Sequence, residues 1–406
     1  MPARSSTERV RLQNSMLVVR ALRRGGRLSH TEIADLTGLS SATISAITAD
    51  LEHGRVIEKQ ESQATTGRGR PRMLFAQRRD SCYLVVIIIS SEAIQYSLVD
   101  YGGKLIDQFS QPREAGGVGS FLTVIRAALE RLAQRSKITP SEVRAISISS
   151  KGLVSTDEPL LLWSPVLGGE QVDFAAGLQP EWTAKVLLSN ETLLVADALA
   201  EQHERKEGTR FRSLVTLSLG HSIGLGIASR GGTGNIDITA PNFGHMLHMP
   251  SGALCRCGAR GCIEAYAGFY AILRNAFEVP KDTIPAKFVP LPEVDKLAAS
   301  ARHGHRMANF AFREAGLALG YGLSRVLSLN GLMPIAVTGP GARYYGLIRG
   351  GLEEGLSQAQ IVRMQGLPAI SVVADEPLLV FEGHLDRALA VMDEEIIMAG
   401  FDRTAG

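Results

Sequence analysis

Three of the chain's four cysteines fall within eight residues, in the run Cys255-Arg256-Cys257-Gly258-Ala259-Arg260-Gly261-Cys262, and His245 stands ten positions before the first of them. Three thiolates and an imidazole are the ligands of a tetrahedral zinc ion, and four protein ligands close the shell, so such a metal is structural and does not activate water. Gly258 and Gly261 allow the short loop to fold back until Cys262 meets the other two sulfurs. His248 is a rival for the fourth position. So few cysteines, so clustered, suit a metal site in a reducing compartment better than a disulfide framework, and the distant Cys82 reads as a small core residue.

A second set of residues suits a different chemistry. Residues 1–79 carry 14 Lys and Arg against 7 Asp and Glu, whereas the remainder carries 29 against 34. A basic head on an acidic body directs the head towards a polyanion. Ser29-His30-Thr31-Glu32 has the capping-box pattern that opens a helix, and Ser40 is placed to cap another, with Leu39 and Ile44 stapling its entry. Ile44, Ile47 and Leu51 recur at the spacing of a buried helical stripe. Ser41, Ala42, Thr43, Ser45 and Thr48 are then expected to face outward, where a recognition helix meets base edges in the major groove. None of these is Arg or Lys, so strong bidentate guanine contacts are not expected here and part of the discrimination must come from elsewhere. Gly67-Arg68-Gly69-Arg70-Pro71-Arg72 is the candidate, because its core resembles an AT-hook. Arg68 and Arg70 would lie in a narrow A·T-rich minor groove, with Gly69 clearing the wall and Pro71 keeping the backbone extended. An ordinary basic linker turn is the alternative.

These groups need elements to carry them. A helix over 14–24 stopped by Gly25-Gly26, the two capped helices, and strands near 56–59 and 73–75 around a polar turn make a winged helix-turn-helix. From Tyr83 the pattern changes. Strands are expected at 84–89, 95–100, 145–149, 186–188, 214–219, 224–228 and 335–338, and helices at 118–136, 190–203, 311–329 and 384–398. Hairpins followed by alternating strands and helices indicate an α/β body in two lobes, whose two glycine-bearing hairpins could be duplicates. The 406 residues, 45 % apolar and 21 % charged, suffice for two or three globular domains. No apolar run reaches the roughly 18 residues of a membrane span, and no apolar segment follows the basic N-terminus, so a cytoplasmic protein is expected.

The spacing Gly244-His245, nine residues, Cys255-x-Cys257-Gly258-x-x-Gly261-Cys262-x-Glu264 resembles the zinc signature of the ROK family, whose repressors and sugar kinases share an actin-like, two-lobed fold. The winged head and the Gly-Arg-Pro linker resemble its repressor branch, and the likeness spans essentially the whole chain. In that family the first lobe also receives the C-terminal helix, here about 384–399. The resemblance implies a winged helix-turn-helix at 1–79, a first lobe at 80–198 plus about 380–406, and a second lobe at 199–379 with the zinc site and an oligomerisation surface. It implies that Asn190, Glu191, His245 and Glu264 bind a ligand, and that His245, Cys255, Cys257 and Cys262 hold Zn2+.

The same resemblance exposes departures. Where family kinases carry an Asp base, this chain has Glu191; Val166 follows Ser164-Pro165 in place of Asn, and Asn242 replaces a Glu. The first phosphate loop becomes Ile88-Ile89-Ser90-Ser91-Glu92, the second keeps Gly220 and Gly224 but has His221, and the adenosine-side glycines become Gly339-Pro340-Gly341. Phosphate cradles need bare backbone N–H groups and a held Mg2+, which bulky residues and Glu92 oppose. No catalytic residue is therefore expected. The expected protein is a homodimeric or homotetrameric repressor or activator of carbohydrate genes that binds an operator in duplex DNA. Its controlling partner would be a sugar-type effector other than plain glucose, or a regulatory protein. An active ATP-dependent sugar kinase with a DNA-binding head is the competing reading.

Overall fold

The computed structural model describes residues 6–61, 73–90, 92–113, 117–165, 167, 169–208, 211–232 and 235–404. Arg68, Arg70, Ser91 and Val166 lie outside them.

The head consists of helix α1 (Ser6–Gly25), strand β1 (Arg27–Leu28), helices α2 (His30–Thr37) and α3 (Ser41–His53), and the hairpin β2 (Ile57–Glu61) and β3 (Met73–Gln77). Helix α1 begins well before residue 14. Its first turns lack an apolar stripe, but they consist largely of straight-chain residues that favour helix by themselves. Ser29 caps α2 in a complete capping box, Gly38 ends it in the left-handed region at φ 70°, and Ser40 caps α3. Strand β1 joins the hairpin in the order β1-β3-β2.

Two five-stranded sheets form the body. The first contains β4 (Tyr83–Ile89), β5 (Ala93–Asp100), β6 (Leu105–Pro112), β7 (Val143–Ser150) and, after the small sheet β8 (Leu153–Val154), β9 (Leu160–Trp163) and β10 (Val172–Asp173), also β11 (Lys185–Asn190). Helices α4 (Val118–Ser136), α5 (Phe174–Leu178) and α6 (Glu191–Glu207) accompany it. The second contains β12 (Ser213–Ser218), β13 (Gly224–Arg230), β14 (Ile236–Thr239), β15 (Ile335–Thr338) and β16 (Ile370–Val372). Its helices are α7 (Glu264–Ala267), α8 (Phe269–Ala276), α9 (Leu291–Arg302), α10 (Arg306–Asn330), α11 (Tyr345–Leu356) and α12 (Gln360–Gln365), and α13 (Glu376–Thr404) ends the chain's described part. The orders β11-β7-β4-β5-β6 and β14-β13-β12-β15-β16 are one topology used twice. In each, a three-stranded antiparallel meander starts on the strand that then pairs in parallel with the next one. The two lobes are thus duplicates in topology.

Helices α6 and α13 pack on each other between the sheets, α6 mainly on β12 and β13 and α13 on β7 and β4. Gly383 makes the close approach possible, since a side chain there would strike the carbonyl of Leu194. Strand β4 is buried on both faces, which is why it reads as an unbroken apolar run. Val85, Ile87 and Ile89 face α4, while Leu84 and Val86 face α13. That second face continues into the head: Leu22, Ile33, Ile44, Leu51 and Phe75 share one core with Tyr101, Leu389, Met392 and Ile397. The head is therefore packed on the body. No described helix is long and apolar enough to cross a membrane.

Candidate functional site

The cysteine loop lies between β14 and α7, closed by bridges between Leu247 and Cys262 and between Leu254 and Arg260. Gly261, at φ 79°, sits where a Cβ would run into the carbonyl of Met249, so only glycine fits. The ligand atoms of His245, Cys255, Cys257 and Cys262 all lie within 4.8 Å of one another. His245 Nδ1 is 3.6 Å from Cys255 Sγ, and the sulfurs of Cys257 and Cys262 are 3.7 Å apart. A tetrahedron with metal–sulfur bonds of about 2.3 Å has edges of about 3.8 Å, so the donor set fits a four-coordinate ion. A hydrogen bond from Cys262, with help from His245, draws the Cys255 thiol down to about 3, and the same contact with Cys255 pushes the Cys262 thiol up. Three sulfurs this close cannot all ionise without a positive charge among them. His248 is outside the cluster; its buried Nδ1 has no partner.

Glu264 follows the loop at the start of α7 and is 1 % exposed. Arg256, between the first two cysteines, donates to Glu264 Oε1 from Nε at 3.1 Å and from Nη2 at 2.9 Å. Nη2 also donates to Ser222 Oγ at 3.0 Å and to the carbonyl of His221. The other Glu264 oxygen accepts from the Ile223 N–H at 3.3 Å. Burial pushes the Glu264 carboxyl up against the pull of Arg256.

A cavity of about 470 Å³ opens between the lobes beside this loop, with Trp163, Asn190, Asn242, His245 and Glu264 among its walls. The structure thus brings three of the four expected ligand residues to one cavity. Asn190 is already engaged there: as N-cap of α6 its Oδ1 accepts from the Thr192 N–H at 2.8 Å, and its Nδ2 donates to the Gly152 carbonyl at 2.7 Å. Trp163 meets the His245 ring edge to face at 5.2 Å; an aromatic at the end of a four-residue strand gave no signal in the sequence. Glu191 turns away from this cavity into a neighbouring one of about 710 Å³, shared with Glu92, His221 and Glu376. Lys151 lines both cavities and lies 3.5 Å from Glu191. Burial raises the Glu191 carboxyl despite Lys151. For Lys151, burial opposes the charge, but Glu191 and Glu376 outweigh it and raise the ammonium.

The segments compared above with phosphate loops meet at this second cavity. His221 stacks on Phe288 at 4.8 Å and bonds through Nε2 to the Val289 carbonyl at 2.7 Å. Burial lowers its pKa, so it stays neutral and fills the turn with a ring. Glu92, Glu191, Asp375 and Glu376 line the space against Lys151 and Arg343. A lining with four carboxylates and two cations disfavours a polyphosphate.

On the head, Ser41, Ala42 and Ser45 are exposed, and Thr43 is half-buried with its hydroxyl 2.8 Å from Ser40 Oγ. Thr48 corrects the expectation that it faces outward. It is 1 % exposed, donates to the Ile44 carbonyl at 2.8 Å and bonds His30 Nε2 at 2.9 Å. Four residues after Ile44, it lies on the buried stripe itself. The sequence also gave no warning of the groups that fix the head. Arg23 grips the fully buried Asp393 at 2.5 and 3.0 Å, and Tyr101 donates to the same carboxylate at 2.8 Å. For Arg23, burial is outweighed by Asp393, and its pKa rises. Arg24 reaches Glu201 on α6 at 2.8 Å.

Comparison with known proteins places these features. The ROK family profile matches residues 94–339, more than half of the chain, and the IclR helix-turn-helix domain profile matches residues 12–61. The xylose repressor of Caldicellulosiruptor bescii is 25 % identical over 328 residues, covering 78 % of this chain and 80 % of that protein. A solved ROK family transcriptional regulator, described as a homolog of the E. coli MLC protein, superposes with a TM-score of 0.73 at 19 % identity, over 97 % of this chain and 99 % of that one. A ROK family glucokinase from Streptomyces griseus, solved with glucose and AMPPNP, superposes with a TM-score of 0.54 at 21 % identity, over 75 % of this chain and 98 % of that one.

Proposed function

The chain belongs to the ROK family, and on that premise we propose that it is a DNA-binding transcriptional repressor of carbohydrate genes, controlled by a sugar-type effector in the cavity between its lobes. The observation that carries this reading is the single hydrophobic core joining a helix-turn-helix head to a sugar-kinase-like body. A change in the body is felt at the DNA-binding surface through packed side chains, without a flexible tether between them. The repressor names of its relatives support the same reading.

In this reading Ser41, Ala42, Thr43 and Ser45 approach the major groove, and Arg68 and Arg70 the minor groove. A homodimer or homotetramer presents two heads to a two-fold operator. Asn190, His245 and Glu264 face the effector. His245 Nδ1 and the thiolates of Cys255, Cys257 and Cys262 hold Zn2+, which with four protein ligands stabilises the loop and leaves no site for activated water. Binding the metal on Nδ1 orients the imidazole, leaving Nε2 for a ligand. A cytoplasmic location agrees with a DNA target and with thiolate ligands.

Several observations favour a body without kinase activity. The carboxylate in the base position is paired with Lys151, a ring occupies the second phosphate turn, and Pro340 offers no N–H where the adenosine side needs one. The test has two parts. Genome-wide capture of DNA fragments by the purified protein is expected to enrich sites beside carbohydrate transport or metabolism genes. Adding the sugars those genes handle is expected to change operator affinity at least tenfold. Efficient ATP turnover with any sugar of that panel refutes the non-enzymatic reading. A flat response to all of them favours control by a protein partner.

A further inference from the structure

Arg256 is neither a member of the metal-binding group nor a wall residue of the effector cavity. It projects from the metal loop between two cysteines, yet its guanidinium is inside the body, with a side chain 7 % exposed. It spends its donors on Glu264, on Ser222 and on the carbonyls of His221 and Lys287, and it lies 5.2 Å from the centre of the Tyr270 ring. Glu264 in turn accepts from the Ile223 N–H. The turn 221–223 and Glu264, both on the cavity side, are therefore tied to one residue whose own backbone is fixed by the metal ligands on either side of it.

We propose that Arg256 is a positioning residue that couples the metal loop to the effector cavity, holding Glu264 and the turn 221–223 in place only while the loop is closed around its metal. The sugar-binding half of this inference rests on the function proposed above; the coupling itself does not. The physical basis is the fork of the guanidinium. Two parallel N–H groups fix one carboxylate oxygen while a third reaches the turn, which a lysine ammonium cannot reproduce in the same plane. With the metal lost, Cys255 and Cys257 no longer hold the backbone from which Arg256 extends. Glu264 would then lose its counter-charge, and the turn its anchor.

The test uses the full-length zinc-loaded protein and its Arg256→Met and Arg256→Lys variants, with zinc content measured on each sample. Hydrogen–deuterium exchange is followed for the peptide covering 219–225. At full zinc occupancy, Arg256→Met is expected to exchange the Ile223 amide at least tenfold faster than the unmodified protein, with Arg256→Lys between them. The unmodified protein stripped by a chelator is expected to match Arg256→Met in this peptide. Unchanged exchange in zinc-loaded Arg256→Met overturns the coupling. If that variant fails to fold or to retain zinc, Arg256→Lys decides, and exchange equal to the unmodified protein overturns the proposal. D-Xylose and D-glucose are titrated on the same samples, and Arg256→Met is expected to raise the Kd for whichever sugar binds by at least tenfold. Faster exchange with an unchanged Kd limits the coupling to the turn and overturns its reach into the cavity. Faster exchange with neither sugar bound by the unmodified protein supports the coupling and counts against those sugars as effectors.

Discussion

Replacing Asp393 with Ala measures how firmly the head is fastened to the body. The carboxylate accepts two hydrogen bonds from Arg23 and one from Tyr101, with its own side chain fully buried and that of Arg23 13 % exposed. Removing it leaves a guanidinium and a phenol without their acceptor in the core that joins head and body. Breaking one side of a buried ion pair costs about 3–5 kcal/mol, because the remaining charge stays buried. At roughly 2–4 °C per kcal/mol for a unit of this size, the melting temperature should fall by about 6–20 °C. Tyr101→Phe removes one hydrogen bond to a charged acceptor and should cost about 1.5–3 kcal/mol. The decisive comparison is the double variant Arg23→Met with Asp393→Leu. Removing both charges together avoids the unpaired ion, so the pair should be far less destabilised than the two single losses added. Differential scanning calorimetry of the unmodified protein, Arg23→Met, Asp393→Leu and the double variant completes the cycle. A loss under 1 kcal/mol for Asp393→Ala would place this contact with exposed surface pairs and refute its fastening role.

Other outcomes follow from single features. Gly383→Ala would favour a helix by about 1 kcal/mol at an open position, but here its methyl meets the Leu194 carbonyl, so a net loss of about 1–3 kcal/mol is expected; a raised melting temperature would show that α6 and α13 can part freely. His384 is fully buried against Ser147 Oγ at 2.7 Å, and burial takes its pKa down to about 3. A depressed folded pKa means its contribution is complete above the unfolded value near 6.5 and is lost as pH falls towards 3, by about 1.4 kcal/mol per unit. Urea unfolding between pH 8 and pH 5 should show this slope relative to His384→Asn, and parallel profiles would contradict it. Stripping metal with a chelator, or Cys257→Ser, should lower the melting temperature of the second lobe, since a metal held there would contribute to folding; a metal-independent melt would remove zinc from the account.

What could be read from residues alone followed the range of the forces involved. Caps and periodic stripes are local, so α2, α3 and α4 stood out in the sequence, the last at its observed ends Val118–Ser136. The cysteine cluster was legible because its ligands are close in the chain and chemically rare. Thr48 was misplaced because a threonine on an apolar stripe looks polar until His30 and the Ile44 carbonyl are seen to satisfy it. The pair Arg23 and Asp393 is separated by 370 positions, and nothing local marks either residue. Lys151 and Arg256 were invisible for the same reason: each looks like an ordinary surface cation until folding buries it beside a glutamate. Helices α7 and α8 escaped notice because they are only four and eight residues long, whereas α9 carries a legible stripe, Val294, Leu297, Ala298 and Ala301, that was passed over.

The way the head is mounted also has a mechanical consequence. Helix α6, capped by Asn190 in the cavity wall, reaches Glu201, the partner of Arg24, eleven residues after its cap, a span of about 16 Å at 1.5 Å per residue. A hydrogen-bonded rod of that length joins the cavity wall to the seam between head and body. Because α13 is pressed against it at Gly383 and carries Asp393, the two long helices reach that seam as one packed pair. On the function proposed above, a shift between the lobes would reach the DNA-reading helix through these two helices, so an effector would act without touching the DNA-binding face.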